Sequence, residues 1–527
     1  MKMKNEEAGT LGNTRGKVLA TITGNAVANL FRIGASWLSV LILPSILVRF
    51  LDKQTYATWI LILQVGVYIS LFDNGIQSVI GRFVGRANEL NDQELMRRTL
   101  SSAACILSVA ALIASIAVLI LAWQFNVFFK GAPNSVLPDA RIGLVIIGIS
   151  MSIILPASTF AGAFLGLQKN KINAIAAIAG KFVTTAGIAS AAFRGEGIII
   201  MALWIAIGNI LQCLIFFIAA SRYKIYRLIH RTCVSGKSIH EFIRFCYAMF
   251  ATQLGAILIS GLDIPIVAAY DFHSAGYYAI AATVGNMLGV PLGAIIGPLI
   301  PVAAGMSAMR TPKKMGDSLI RVARYANAIL CLLTFPLLQG LYLFLQVWVG
   351  YSYASHVFVL AIILVLAQFI RLLLLPYAAM GFSVGQQHRM LISPLGEGIV
   401  NITCSIVGAI WLGAIGVAIG TLVGAIAGVV LHFIISMPRT NAVFFLRRQL
   451  LIQGIFRPVA CCIIPFILIT GIDYFFSSRT IQLICLFLSE LLAFYLIWIW
   501  NFSNEERIEL KRVARVKAGV RSQMVNI

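Results

Sequence analysis

The chain has 527 residues, of which 60% are hydrophobic and only 11% are charged. A soluble protein carries about 25% charged residues. Because no compact soluble core could bury so large an apolar fraction, the composition excludes a soluble globular protein and makes the bilayer the solvent. The 41 Lys and Arg against 19 Asp and Glu give a net charge of +22, which in a soluble protein would suggest a nucleic-acid partner.

Apolar segments of the length that crosses a bilayer, about 20 residues, follow one another along the chain. They predict an all-α polytopic membrane protein with about fourteen transmembrane helices. The predicted spans are 23–48, 57–80, 100–124, 142–166, 172–192, 198–220, 245–270, 276–304, 325–348, 356–382, 390–410, 413–437, 458–476 and 480–500. The shortest breaks, at 193–197 and 477–479, are predicted to be hairpin turns.

The distribution of Lys and Arg predicts how these spans are oriented. If the N-terminus is cytoplasmic, the inward segments hold 32 of the 41 basic residues, the outward segments hold 6 and the spans hold 3. Cytoplasmic loops of membrane proteins carry such an excess of Lys and Arg, so both termini are predicted to be cytoplasmic. Basic loops in this position meet anionic lipid head groups, and no nucleic-acid partner is predicted.

A weak internal repeat predicts two parallel six-helix lobes followed by an extra helix pair. Two outer turns, at 50–57 and 270–279, each carry Tyr just before the next span. Six helices per lobe preserve orientation, and substrate sites in such transporters lie between the halves. The predicted organisation is a cytoplasmic N-terminal tail (1–22), an N-terminal six-helix lobe (23–220), a cytoplasmic inter-lobe loop (221–244), a C-terminal six-helix lobe (245–437), helices thirteen and fourteen (458–500) and a basic cytoplasmic tail (501–527).

Motifs of enzymes and metal sites are missing from the sequence. It contains no G-x-S-x-G, no H-E-x-x-H and no Walker P-loop, and its nine cysteines show no C-x-x-C spacing. The largest predicted outer loop, 125–141, gives little room for the catalytic residues of a membrane enzyme such as a glycan polymerase or ligase. The sequence therefore predicts a transporter rather than an enzyme, with no catalytic residue, metal or cofactor.

Several short motifs, in their order along the chain, resemble the polysaccharide and O-antigen flippases (Wzx type) of the multidrug/oligosaccharidyl-lipid/polysaccharide exporter superfamily. The resemblance covers about residues 20–440, and Thr55 stands where the family favours Gly. The residues that carry it are Leu43 to Leu51, Tyr56, Trp59, Leu71 to Gly75, Arg82 to Val84, Gly166 to Gln168 and Asp263 to Tyr278.

The resemblance implies a flippase of the bacterial cytoplasmic (inner) membrane that acts by alternating access. Its substrate would be an undecaprenyl-pyrophosphate-linked oligosaccharide repeat unit of O-antigen, capsule or exopolysaccharide, moved from the inner to the outer leaflet. The implied partners are this lipid-linked substrate, H+ or Na+ as coupling ion, membrane lipids and the polysaccharide polymerase machinery. A cation-coupled exporter of drugs or small metabolites from the same superfamily is the alternative.

Charged side chains inside the predicted spans are candidate site residues, because each costs at least about 2.5 kcal/mol to insert. Residues equidistant from the turn of an antiparallel hairpin lie at one depth. This register places Arg32 level with Asp73, and Arg371 level with Glu397. The arginines are candidate substrate-binding cations and the acids are candidate coupling-ion or gating groups. A structural ion pair is the alternative for both pairs, and it is favoured for Arg371 with Glu397.

Lys181 and Asp263 have no such partner in their hairpins. The mirror positions of Lys181 fall near Ala157 and Asn209, and that of Asp263 falls near Ala282. A deep, unpaired Lys181 would suit a pyrophosphate or an acidic sugar, and an interhelical contact is the alternative. Asp263 could bind the coupling H+ or Na+, or could have Asp271 or a neighbouring hydroxyl as a structural partner.

Proline and glycine in two predicted spans suggest a bend and close helix packing. Pro265, two residues after Asp263, is expected to free a backbone carbonyl nearby. Pro291 and Pro298 in helix eight are candidate bending positions for alternating access. Glycines four residues apart let helices approach closely; they stand at Gly285, Gly289, Gly293 and Gly297, and again at Gly416, Gly420, Gly424 and Gly428.

Overall fold

The structure is a computed structural model. It describes residues 32–129, 131, 133–230, 233–234, 236, 239–240, 253–296, 312–440, 447–473 and 479–508; within these, the side chains of 70–75, 128, 294, 312–314, 469, 471–473 and 479 are not described. All regular elements in these ranges are helical. Eleven of the described helices are long and apolar enough to cross a membrane. The all-α polytopic fold is thus confirmed, while the exact number of fourteen spans stays a prediction.

The described residues group into two compact units, Met1–Ala279 and Ile280–Ile527. The loop 221–244, which the sequence predicts to separate two six-helix lobes, is not the boundary between these units. The division into two lobes stays a prediction. The helices of the first unit are α1 (Arg32–Phe50), α2 (Lys53–Glu89), α3 (Gln93–Trp123), α4 (Leu137–Gly166), α5 (Asn170–Phe193), α6 (Ile198–Arg222) and α7 (Gln253–Tyr270), with one-turn helices at Phe125–Phe128, Ile225–Leu228 and Phe272–Ser274.

Aspartate side chains cap the N-termini of α2 and α3. The carboxylate of Asp52 accepts hydrogen bonds from the backbone N–H groups of Gln54 and Thr55, both at 3.0 Å, at the start of α2. Asp92 accepts one from Leu95 at 2.9 Å at the start of α3. Such caps satisfy the N–H groups that have no partner within the helix. Gly195, at φ +69°, makes the tight turn between α5 and α6 that the sequence predicts.

The second unit begins inside α8 (Ala275–Asn286), which crosses the boundary. Its longest helix contains Gly413 at φ +58°, a break at the first residue of the predicted span 413–437 and close to the end of the predicted span 390–410. The helices of the unit are α9 (Gly289–Ile296), α10 (Pro312–Gln339), α11 (Leu341–Val349), α12 (Tyr351–Leu372), α13 (Leu375–Ser383), α14 (Ile392–Leu431), α15 (Arg457–Asp473) and α16 (Arg479–Leu496), with short segments at Gln387–Met390, His432–Ser436, Met437–Arg439, Arg447–Gln449, Leu450–Phe456, Ile497–Asn501 and 504–508.

Large apolar side chains cover the outer faces of both units. Phe182, Val347 and Trp411 are 72%, 72% and 82% exposed. A soluble protein would bury such residues, whereas a bilayer solvates them. The exposed apolar faces of the helices are therefore the faces that meet lipid.

Candidate functional site

Two neighbouring helices of the first unit, α1 and α5, run parallel and in contact. The hydroxyl groups of Ser39 and Thr185 form a 2.6 Å hydrogen bond. Further along both helices, the rings of Phe50 and Phe193 meet edge to face with centroids 4.8 Å apart. From the first contact to the second, the residue numbers rise on both helices, so α1 and α5 run in the same direction.

This register brings two predicted substrate-binding cations, Arg32 and Lys181, to nearly the same depth. Arg32 lies seven residues before Ser39, and Lys181 lies four residues before Thr185. At about 1.5 Å per residue, their levels along the helix axes differ by only about 4–5 Å. Residues four and seven apart share one face of a helix, so both cations lie on the faces that the Ser39–Thr185 contact brings together.

Lys181 lies at the centre of its span, eleven residues after the start of α5 and twelve before its end. Its side chain is half-buried. Among the residues that the structure describes, none forms a hydrogen bond or an ion pair with its ammonium group. Arg32 is exposed at the first described position of α1. An ammonium group at this depth, with no partner in the described part of the chain, is a candidate ligand for an anion.

Asp73 lies in the middle of α2, but its side chain is outside the described residues. The ion pair of Arg32 with Asp73 and the gating role of Asp73 therefore stay predictions.

Arg371 and Glu397, in the second unit, form the ion pair that the hairpin register predicts. Nε of Arg371 lies 2.6 Å from Oε1 of Glu397, and Nη1 of the same guanidinium donates to the side-chain oxygen of Gln368 at 2.8 Å. The side chain of Glu397 is 7% exposed. Because the positive charge of Arg371 is already neutralised, this site differs in kind from that of Lys181.

Asp263 opens the α-helical half of α7 and is buried, with 4% exposure. Its Oδ2 accepts a hydrogen bond of 3.2 Å from the hydroxyl of Tyr278. The expectation that its hairpin supplies no partner is wrong: the mirror position falls near Ala282, but the long phenol of Tyr278 reaches along the hairpin. The alternative of a neighbouring hydroxyl as partner is confirmed.

The backbone of α7 is broken immediately before Asp263. Residues Ile257–Gly261 have a wider helical turn, and the Pro265 ring cannot donate to the carbonyl of Gly261. That carbonyl instead accepts hydrogen bonds from the amide of Gln64, at 2.9 Å, and from the hydroxyl of Tyr68. The prediction of a freed carbonyl beside Pro265 is confirmed. Nothing in the local sequence of α2 indicates that Gln64 and Tyr68 bind this carbonyl.

The helical backbone is interrupted just before Pro291, and the bending role of Pro291 stays a prediction. α8 ends at Asn286 and α9 begins at Gly289. The backbone N–H of Met287 lies 3.2 Å from the carbonyls of both Thr283 and Val284, which marks a locally tightened turn. Pro291 cannot donate to the carbonyl four residues before it, that of Met287, so the break lies where a proline bend is expected. Pro298 lies outside the described residues.

A further ion cluster lies at the start of the C-terminal tail, and it was not predicted from the sequence. Glu506 is 5% exposed and pairs with the guanidinium of Arg324 on α10, while Arg321 lies 3.4 Å away. Ser503 and Glu506 cap each other's backbone N–H groups at 2.9 and 3.2 Å. The S-x-x-E capping-box pattern could have predicted this last contact. In the described part of the chain, no three His, Cys, Asp or Glu residues are grouped as metal ligands.

A family model described as "Polysaccharide biosynthesis protein" matches residues 25–307, more than half of the chain. The chain belongs to the polysaccharide biosynthesis protein family. Membership confirms the resemblance seen in the sequence motifs. No curated protein sequence matches the chain.

Solved structures similar to this family member are transporters. The chain is 19% identical to the lipid II flippase MurJ in an inward closed conformation, with a TM-score of 0.65 over 89% of this chain and 98% of that one. It is 14% identical to an inward-facing multidrug resistance MATE family transporter, with a TM-score of 0.63 over 78% of this chain and 98% of that one. At these identities the likeness shows the fold, which both classes of transporter share.

Proposed function

We propose that the protein is a flippase that moves undecaprenyl-pyrophosphate-linked oligosaccharide repeat units from the inner to the outer leaflet of the bacterial cytoplasmic membrane. It works by alternating access, is driven by H+ or Na+, and supplies the polysaccharide polymerase machinery with O-antigen, capsule or exopolysaccharide units. The observation that carries this proposal is the pair of deep cations on α1 and α5.

A pyrophosphate is the chemical group that best fits Arg32 and Lys181. It bears several negative oxygens within a few ångströms, and two cations at nearly one depth can bind it from two sides. The planar guanidinium of Arg can donate two parallel hydrogen bonds to one phosphate, and the ammonium of Lys provides a compact positive charge. A drug cation would be repelled by the same pair, so this geometry favours the lipid-linked pyrophosphate over the drug exporter.

Asp263 is the coupling group in this proposal. A buried carboxylate beside a helix break can exchange a proton or hold Na+ together with backbone carbonyls. The hydroxyl of Tyr278 stabilises the charged form. Loading and release of the cation would then act directly on the broken turn of α7.

The test is to delete the gene in its host, label the undecaprenyl-linked glycan, and measure which leaflet holds it. We expect wild type to restore outer-leaflet glycan. Lys181→Ala and Arg32→Ala should slow transport about tenfold or more, because a hydrogen bond to a charged group contributes about 1.5–3 kcal/mol. Asp263→Asn should also stop coupled transport.

Two variants serve as controls at matched protein level. Lys181→Arg keeps the charge and should retain most transport, and Lys171→Ala removes an exposed lysine at the start of the same helix and should have no effect. Normal glycan export in the deletion strain, with altered drug sensitivity, would contradict the proposal and favour the exporter.

A further inference from the structure

Glu490, in the membrane part of the second unit, has no role in the proposed function. It lies at the centre of the span Thr480–Asn501 that α16 forms with its last turn. Its side chain is half-buried. Within the described ranges, no residue forms a hydrogen bond or an ion pair with its carboxyl group. An acidic group at the centre of a bilayer is costly and is usually paired, so a partner for Glu490 is expected.

The packing of α16 places Glu490 at the edge of the helix face that meets lipid. α16 packs on α15 and α10, and the hydroxyl of Ser489 donates to the side-chain oxygen of Gln339 on α10 at 2.9 Å. This contact fixes the rotation of α16 about its own axis. Ala493, one turn after Glu490, is buried, and Phe487, one turn before it, is exposed. Glu490 therefore lies where the buried face of α16 ends and the lipid-facing surface begins.

Glu490 belongs to a stripe of large side chains along α16. The other members are Leu483, Phe487 and Phe494, which are 55%, 62% and 61% exposed. These four residues follow one another at spacings of four, three and four, the pattern of the positions that face a partner helix in a coiled coil. They lie within about 60° of one another around the helix axis and extend over about 16 Å. The stripe has the shape of a surface that packs against one further helix.

We propose that this stripe is the interface of a symmetric dimer, in which α16 packs against α16 of a second copy of the chain. Copies that insert with one topology are related by a two-fold axis along the membrane normal, so Glu490 faces Glu490 of the second copy at the same depth. A protonated carboxyl group has one O–H donor and free acceptor lone pairs. Two Glu490 side chains that have each taken a proton from water thus form two reciprocal hydrogen bonds.

Depth and symmetry favour a second copy over a different membrane protein. A different protein would need a hydrogen-bonding side chain at the depth of Glu490, whereas a second copy always has one there. The contact is also isologous, so it closes at two copies and leaves neither carboxyl group unpaired. Hydrogen bonds between polar side chains drive helices together in membranes. The family model ends at residue 307, so this assembly uses a part of the chain that the model does not cover.

The test is the oligomeric state of the full chain in a bilayer. The protein, labelled at an N-terminal tag, is diluted in vesicles of phosphatidylethanolamine and phosphatidylglycerol, and single-molecule photobleaching counts the copies. We expect dimers for wild type. Glu490→Leu should weaken association about tenfold, the effect of losing one or two hydrogen bonds in a membrane. Glu490→Gln keeps a donor and an acceptor and should stay close to wild type. Leucine suits a lipid-facing position, so thermal unfolding of Glu490→Leu should match that of wild type.

Cross-linking identifies the face of α16 that forms the contact. Phe487→Cys should form a disulfide between two copies when membranes are oxidised with copper phenanthroline, above the background of the native cysteines. Leu488→Cys is the matched control: Leu488 is also exposed but lies about 100° further around α16, away from Glu490, and should not cross-link. Monomers at every dilution, a Glu490→Leu dimer as stable as wild type, or cross-linking at position 488 in place of 487 would each overturn the inference and leave the flippase standing.

Discussion

Lys181 and Arg371 are both cations within spans, yet their surroundings give them different roles. Arg371 is held by Glu397 at 2.6 Å and by Gln368 at 2.8 Å. Lys181 has no hydrogen-bonding or ion-pairing partner in the described residues, and its helix contacts α1, the helix that carries Arg32. A buried cation with its own carboxylate is a structural element, whereas a cation that keeps its charge unmatched can bind an anionic substrate.

Glu506 is a residue whose protonation should control stability. Burial raises its pKa, but hydrogen bonds from Ser503 and Tyr325 and the charge of Arg324 outweigh this, and its pKa lies below the ordinary 4.5. A lowered folded pKa contributes stability that is fully present above pH 4.5 and is lost as the pH falls through the folded value. We therefore expect the melting temperature of the purified protein to fall below about pH 4.5.

The matching variants are Glu506→Gln and Glu505→Gln, compared by thermal unfolding in detergent across pH. Glu506→Gln leaves Arg324 buried without a carboxylate, so it should lose about 3 kcal/mol at pH 7 and show a flatter profile below pH 4.5. Glu505 is exposed, and its variant should follow wild type. Identical pH profiles for all three proteins would mean that Glu506 keeps the same pKa in the folded and unfolded states.

Proline and glycine set the interruptions that shape individual helices. Pro265 frees the carbonyl of Gly261, and Pro291 lies four residues after the break at Met287. Gly413, at φ +58°, divides α14 into two parts, and Gly416 in the second part packs against Gly408 in the first. In each case the missing backbone donor or the positive φ follows from the residue type. Helix breaks are therefore features that the sequence predicts well.

The glycine face of α14 should be sensitive to the addition of a single methyl group. A Cβ on Gly428 would overlap the carboxylate of Glu397, which pairs with Arg371. We expect Gly428→Ala to destabilise the protein by about 1–3 kcal/mol, the usual cost of overpacking. Thermal unfolding of the purified variant measures this.

Gly293→Ala in α9 is the matched control. No atom lies within 4 Å of a Cβ built there, so the change should be neutral or stabilising by up to about 1 kcal/mol through helix propensity. If the two variants unfold at the same temperature, the close contact at Gly428 is not a determinant of stability.

For the molecule as a whole, contacts within hairpins were predictable and contacts between distant helices were not. The Arg371–Glu397 pair follows from counting residues on either side of one turn, 26 residues apart. Ser39 with Thr185, Gln64 with Gly261, and Arg324 with Glu506 are 146, 197 and 182 residues apart. Such pairs depend on which helices become neighbours, and apolar spans of similar composition hold no local signal for that choice.

The orientation of the protein in the membrane depends on the distribution of basic residues over the whole chain. Of the 41 Lys and Arg, 32 lie in the segments predicted to face the cytoplasm. Short basic loops resist translocation, so the chain should insert with both termini inside. A green fluorescent protein fused after Ile527 should therefore fluoresce, and alkaline phosphatase fused there should be inactive.

A second fusion site makes this topology test decisive. Alkaline phosphatase inserted at Gly195, in the turn between α5 and α6, should be active because this turn is predicted to face outward. Five spans precede that turn in the predicted order and nine follow it, so the two sites must lie on opposite sides. Activity at both sites would mean that the number of spans after Gly195 is even, which would exclude fourteen with a cytoplasmic N-terminus. Fluorescence at Ile527 with activity at Gly195 would place the basic loops, the tail with Glu506 and the start of α10 together on the cytoplasmic side.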